Sequence, residues 1–68
     1  MPFSDYTQFN GEALLKMRSA YDLAVARLNL KNDDPRTGEL AAKIAALAAE
    51  GERDVEKLAE RAVALQII

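Results

Sequence analysis

The chain contains no cysteine and no histidine among its 68 residues. Without cysteine it can form neither a disulfide nor a thiolate metal site, and without histidine it lacks the commonest metal ligand and the commonest general base. A domain of this length buries only roughly 60% of the surface of its unfolded chain, and such domains are usually stabilised by a disulfide, a metal or a partner. The sequence therefore predicts no metal and no cofactor, and it favours self-association as the way to enlarge the core.

Long apolar runs and strongly basic segments are also missing. The longest apolar run, residues 44–49, is far shorter than the roughly 20 residues of a membrane-spanning helix. The first ten residues show no basic region followed by an apolar stretch, which predicts a cytoplasmic protein without a signal peptide. The net charge is −2 and basic residues alternate with acidic ones, so we expect neither nucleic acid nor a membrane as a partner. The abundant alanine is compatible with a bacterial source.

Residues that could support catalysis are few. The glycines are isolated, so the chain has no glycine-rich phosphate loop. Carboxylates at helical spacing, such as Glu50 and Asp54, fall outside the predicted apolar face. No base of suitable pKa accompanies any of the hydroxyl side chains considered as nucleophiles. The sequence therefore predicts that the protein is not an enzyme. Those hydroxyl side chains are Ser4, Thr7, Ser19 and Thr37.

Two helices joined by a short turn are predicted. The first, residues 10–31, has Asn10 as its N-cap, with an earlier start at Asp5 as the alternative. Apolar residues recur in it with gaps of three and four, which is typical of one helical face. Residues 32–34 form the turn, and Pro35 opens a second helix that extends to residue 66. The apolar positions of the first helix are Leu14, Met17, Tyr21, Ala24 and Leu28.

Gly51 interrupts the apolar pattern of the second helix. Glycine costs about 1 kcal/mol relative to alanine inside a helix, which is too little to end a helix flanked by strong helix formers. We therefore expect one continuous helix, the alternative being that a third helix begins near Glu52. A continuous helix is longer than the first one and leaves apolar surface uncovered. The predicted fold class is an all-α antiparallel helical hairpin of two helices, the second longer, that dimerises into a four-helix bundle.

The predicted self-association interface follows the apolar face of the second helix. Small residues on this face, Ala48 and Gly51 among them, would let two helices approach closely. The alternating charges that follow Gly51 are typical of a solvated face, and they could also set the register of an antiparallel partner. The interface comprises Leu40, Ile44, Leu47, Ala48, Gly51, Val55, Leu58, Ala62 and Leu65.

Three of the four aromatic residues, Phe3, Tyr6 and Phe9, lie in the N-terminal tail of residues 1–9. Their spacing indicates a cap over the open end of the bundle, and the alternative is a tail that binds a partner. The sequence thus predicts a small non-enzymatic helical protein that acts through self-association, as a homodimer, and through binding of another protein. The alternative is a small regulatory partner, antitoxin-like or anti-factor, that controls another protein.

Overall fold

The computed structural model describes residues 9–31 and 33–67, which form three packed helices. Helix α1 comprises Gly11–Leu28, α2 comprises Arg36–Ala49 and α3 comprises Val55–Ile67. Each helix packs against both of the others. The predicted two-helix hairpin, and with it the four-helix bundle of two hairpins, is therefore wrong. The stretch predicted as one helix from residue 35 to 66 is two helices that fold back on each other.

Local hydrogen bonds define both ends of α1. The side chain of Asn10 accepts a hydrogen bond of 2.7 Å from the backbone N–H of Ala13, as an N-cap does. At the other end Asn29 adopts the left-handed conformation, with φ 55° and ψ 42°. The N–H of Asn29 bonds to the carbonyl of Ala26 and that of Leu30 to the carbonyl of Val25. This pattern is a Schellman motif, which ends a helix by satisfying its last carbonyl groups.

Replacing Asn10 with alanine tests the contribution of this cap. We expect Asn10→Ala to lower the free energy of unfolding by about 1 kcal/mol, because the N–H of Ala13 loses its acceptor. Asn10→Asp keeps an acceptor and places a negative charge at the helix N-terminus, so we expect its stability to stay close to that of the wild type. Urea unfolding followed by circular dichroism measures both variants. Equal losses in the two variants would mean that the cap does not stabilise α1.

The connection between α1 and α2 is built around Asp34. One carboxylate oxygen of Asp34 accepts the backbone N–H of Arg36 at 2.9 Å. The backbone carbonyl oxygen of Asp34 accepts hydrogen bonds from both the hydroxyl and the N–H of Thr37. Pro35 already has helical backbone angles, φ −59° and ψ −22°. An aspartate followed by proline therefore starts α2.

The chain reverses between α2 and α3 at Gly51, which has a φ of 107°. The N–H of Gly51 bonds to the carbonyl of Ala48, and that of Glu52 to the carbonyl of Leu47. This is a second Schellman motif, here with glycine at the position of positive φ. Asp54 then begins α3, since its side chain accepts the N–H of Lys57 at 3.0 Å. These two local signals, in addition to the poor helix propensity of glycine, separate α2 from α3.

The core is formed largely by alanine. Among the residues that the structure describes, thirteen apolar ones are buried, and eight of these are alanines, contributed by all three helices. Side chains this small allow helix backbones to pack closely, and larger residues fill the space between them. The largest completely buried side chains are Met17, Leu40, Ile44 and Leu58.

Contacts near the helix ends give the direction of each helix. The guanidinium carbon of Arg53, just before α3, lies 5.6 Å from the ring centre of Phe9, just before α1. Helices α1 and α3 therefore begin at the same end of the molecule. Near the end of α3, Gln66 accepts a hydrogen bond of 2.6 Å from Lys43 and donates one of 3.1 Å to Glu39. Helix α2 is thus antiparallel to both of the others.

Candidate protein-binding surface

The outer face of α1 is the side of that helix opposite the core. Buried residues recur along α1 with gaps of three and four, at Ala13, Met17, Ala20 and Ala24. Positions about half a turn away from them point to solvent because a helix has 3.6 residues per turn. The outer face of α1 comprises the exposed residues Gly11, Glu12, Leu15, Arg18, Ser19, Asp22, Ala26 and Arg27.

Leu15 is the apolar centre of this face. It is 66% exposed, more than Leu65, the other large apolar residue that is exposed in the described part of the chain. The neighbouring Leu14 is partly buried and packs against the core. Leu15 therefore contributes little to the folded chain, and its side chain is available to a second molecule.

Charged residues surround Leu15 on the outer face of α1. Glu12 is in the first turn and Arg27 in the last, an arrangement that the helix dipole favours. Glu12 forms an ion pair of 3.4 Å with Lys16, one turn further along. Arg18 and Asp22 are exposed between the two ends. An apolar centre with a charged rim is the usual arrangement of a protein-binding surface.

A shallow groove lies next to this face, between the start of α1 and the turn before α3. Its volume is about 180 Å³, and it is open to solvent. Its one arginine, Arg53, donates to the carbonyls of Ala48 and Glu52 and stacks on the ring of Phe9. Arg53 is thus engaged in holding the α2–α3 turn against the start of α1. The groove is lined by Asn10, Glu12, Ala13, Lys16 and Arg53.

The ion pair between Asp34 and Arg36 lies at the opposite end of the molecule from the groove, and it shifts the pKa of Asp34. Arg36 donates to both carboxylate oxygens of Asp34, at 2.7 and 3.1 Å, and its backbone N–H donates as well. These hydrogen bonds and the positive charge of Arg36 lower the pKa of Asp34 from 3.8 to about 2. The pair starts α2, and it gives Asp34 a structural role.

The lowered pKa of Asp34 predicts a loss of stability in acid. The charged carboxylate is favoured in the folded chain, so its contribution is present above pH 4 and disappears as the pH falls towards 2. We expect Asp34→Asn to be less stable than the wild type at pH 6, with a smaller further loss between pH 4 and pH 2. Asp33→Asn removes the same charge one residue earlier and is the control. Urea unfolding midpoints at pH 2, 3, 4 and 6 measure both variants. The same dependence of the midpoint on pH in Asp34→Asn and Asp33→Asn would contradict the prediction.

Most of the predicted self-association residues lie inside this single chain. The side chains of Leu40, Ile44, Leu58 and Ala62 have no exposed surface. Leu47 and Ala48 are buried as well, and Val55 packs partly buried against the same core. The apolar face of α2 and α3 is therefore covered by α1 and by the contact between these two helices.

The remaining predicted residues are at the periphery. Gly51 is exposed in the turn, and Leu65 is 46% exposed near the end of α3. Of the predicted aromatic tail, Phe9 is partly buried under Arg53. Phe3 and Tyr6 lie outside the described residues. The charged residues of α3, such as Lys57 and Glu60, are exposed.

Leu15 was not among the predicted site residues. It falls between the regularly spaced apolar positions of α1, next to Leu14 in the sequence. A large apolar residue on the polar side of a predicted amphipathic helix is the signal that identifies it.

No helix in residues 9–31 and 33–67 is long and apolar enough to cross a membrane. Comparison of the chain with models of protein families, with curated proteins and with solved structures found no match. Its function must therefore be inferred from the surface described above.

Proposed function

We propose that this chain is a small non-enzymatic helical protein that acts by binding protein through the outer face of α1. The observation that carries this proposal is the 66% exposure of Leu15. Complete burial of a leucine contributes roughly 1.5–3 kcal/mol, and most of that contribution is unused in the isolated chain. A partner that covers Leu15 gains it without disturbing the three-helix core.

Single exposed leucines are common on protein surfaces, so the residues around Leu15 also matter. Ser19 and Ala26, on the same face, are small and leave room for a partner to approach. Arg18 and Asp22 offer charges of both signs at the rim. This combination favours another protein as the bound molecule, docked through one of its helices or through another part of its surface.

Two of the hydroxyl side chains in the described part of the chain, those of Thr37 and Ser19, lie at positions that fit this role. Thr37 donates its hydroxyl to the carbonyl of Asp34 at 2.7 Å and thereby helps to start α2. Ser19 is exposed in the middle of α1, among the residues that the partner would cover. These positions support a binding surface in preference to an active site.

Site-specific photo-crosslinking in the cells that produce the protein tests the proposal. A photoreactive phenylalanine analogue is introduced at position 15, and in a matched control at position 46, where Ala46 is exposed on α2. We expect a discrete covalent adduct from position 15 and none from position 46. Absence of an adduct at position 15, or equal adducts at both positions, would contradict binding through this face.

The mass of the adduct separates the two kinds of partner. An adduct of twice 7.5 kDa indicates a second copy of the chain. An adduct of another mass, identified by mass spectrometry, indicates a different protein and would favour the regulatory role.

A further inference from the structure

The charged residues of the outer face of α1 alternate in sign along the helix. From the first turn to the last the exposed ones are Glu12, Arg18, Asp22 and Arg27. Their order is therefore acid, base, acid, base. Lys16, which is only partly exposed, pairs with Glu12 of its own helix at 3.4 Å. A second copy of the same face that runs in the opposite direction presents base, acid, base, acid. Each of these four exposed charges would then meet a charge of opposite sign.

We propose that a second copy of this chain packs antiparallel on the outer face of α1, about a two-fold axis close to Ser19. This inference rests on the proposed function and names the partner. Residues whose numbers add up to about 40 then lie at the same level of the two helices. Glu12 lies opposite Arg27 of the second copy, and Arg18 lies opposite Asp22. The two-fold symmetry repeats each of these contacts.

The axis close to Ser19 also lets the two copies overlap over the whole length of α1. The midpoint of α1, Gly11–Leu28, falls between residues 19 and 20. Leu15 then lies within about one residue, or roughly 1.5 Å, of the level of Ala26 in the second copy. A large apolar side chain would thus face a small one twice, on either side of Ser19. Small residues at the centre allow the close approach of about 8–10 Å that packed helices require.

The position of each charge around the helix is compatible with this arrangement. At about 100° per residue, Arg18 and Asp22 lie on one edge of the line through Leu15 and Ala26, and Glu12 and Arg27 lie on the other. A two-fold axis perpendicular to the pair places each edge against the same edge of the second copy. A parallel two-fold pair would instead place each edge against the opposite edge, where Arg18 and Asp22 meet no charge of opposite sign at their own level. The charge pattern therefore selects the antiparallel pair.

The size of the surface sets the expected strength of the dimer. Helix α1 has 18 residues, a length of about 27 Å, and one face of a single helix buries less than the roughly 800 Å² per partner of a standard interface. We expect a weak, reversible dimer with a dissociation constant on the order of 0.1 mM. The fraction of chains in such a dimer changes with the local concentration of the protein.

Sedimentation equilibrium of the full chain, from about 10 µM to about 1 mM, tests the inference. The mean mass should rise from 7.5 kDa towards twice that value. Arg18→Glu places like charges opposite each other at two symmetric positions, and we expect the dissociation constant to increase about tenfold. The double variant Arg18→Glu/Asp22→Arg exchanges the signs and should return the constant to within about threefold of the wild type.

Lys57→Glu is the matched control, because it changes the net charge by the same amount at an exposed position on α3. We expect it to leave the dissociation constant unchanged, and far-ultraviolet circular dichroism verifies that every variant is folded. A wild-type chain that stays monomeric at 1 mM overturns the inference. So does a double variant as weak as Arg18→Glu, or an equal effect of Lys57→Glu.

The crosslinking experiment keeps this inference separate from the proposed function. A position-15 adduct with a different protein, from a chain that is monomeric in solution, overturns the homodimer and leaves protein binding by α1 intact. Absence of any position-specific adduct contradicts the proposed function itself.

Discussion

Leu58→Ala is expected to lower the free energy of unfolding by about 2–5 kcal/mol, the largest effect of any single substitution considered for this chain. Leu58 has no exposed surface and is the largest completely buried side chain of α3. Most of the other residues of the buried cluster are alanines, which cannot extend into the cavity that truncation leaves. A chain of 68 residues has a total stability of roughly 3–10 kcal/mol, so this single change removes much of it.

Leu65→Ala is the matched control for Leu58→Ala. The same side chain is shortened in the same helix, two turns further along, at a position that is 46% exposed. We expect a loss of less than about 1 kcal/mol, because little contact is removed and no closed cavity forms. Urea unfolding followed by circular dichroism at 222 nm compares the two variants. Equal losses would mean that α3 is not held against the core through Leu58.

Gly51→Ala is expected to lower the free energy of unfolding by about 1–3 kcal/mol, although the side chain that it adds meets no other atom within 4 Å. The cost arises from the backbone, since Gly51 has a φ of 107° that residues with a Cβ rarely adopt. The Schellman motif of α2 requires this conformation. The substitution therefore strains the turn that separates α2 from α3.

Gly38→Ala is the same chemical change in a different backbone conformation. Gly38 is exposed inside α2, and an added Cβ again meets nothing within 4 Å. We expect this variant to be more stable than the wild type by about 0.5–1 kcal/mol, because alanine favours the helix. Equilibrium unfolding should thus give effects of opposite sign. A stabilising Gly51→Ala would show that the chain does not need the positive φ at residue 51.

Local sequence signals predict much of α1 and of the first turn. Asn10 is a preferred N-cap residue, and Asp34 followed by Pro35 is a preferred helix start. Each of these acts through hydrogen bonds to residues two or three positions away. Information of this kind is present in a short stretch of sequence and does not depend on the rest of the fold.

The continuous helix predicted through Gly51 is wrong, and the alternative of a third helix that begins near Glu52 is close to the structure. The modest helix-propensity cost of glycine understates this break. The combination of a glycine with an aspartate three residues later, Gly51 and Asp54, is a stop signal followed by a start signal. The contribution of long-range packing to this break could not be read from the sequence. Folding back at the turn allows Leu58 and Ala62 to be buried within the same chain, which a continuous helix would leave to a partner.

Most residues of the predicted self-association interface lie in the core of the single chain for a related reason. Residues such as Ile44 and Leu58 have the spacing of an interface, and the same spacing serves an internal core. Spacing alone does not tell whether the surface that covers an apolar face belongs to the same chain. Leu15 is informative because it remains exposed once the three helices have packed.

The alanine-rich core has a consequence for the response of the protein to temperature. Alanine loses no side-chain rotational freedom on burial, so these positions are fixed at a small entropic cost. Each also removes little apolar surface from water, and the heat capacity change of unfolding scales with that surface. For 68 residues the average change would be roughly 0.8–1.0 kcal/mol/K, and this chain should fall at or below that range. The free energy of unfolding therefore changes little with temperature. We expect it to have a low, broad maximum and to decrease only slightly on cooling, and we expect the protein to melt over a broad temperature interval.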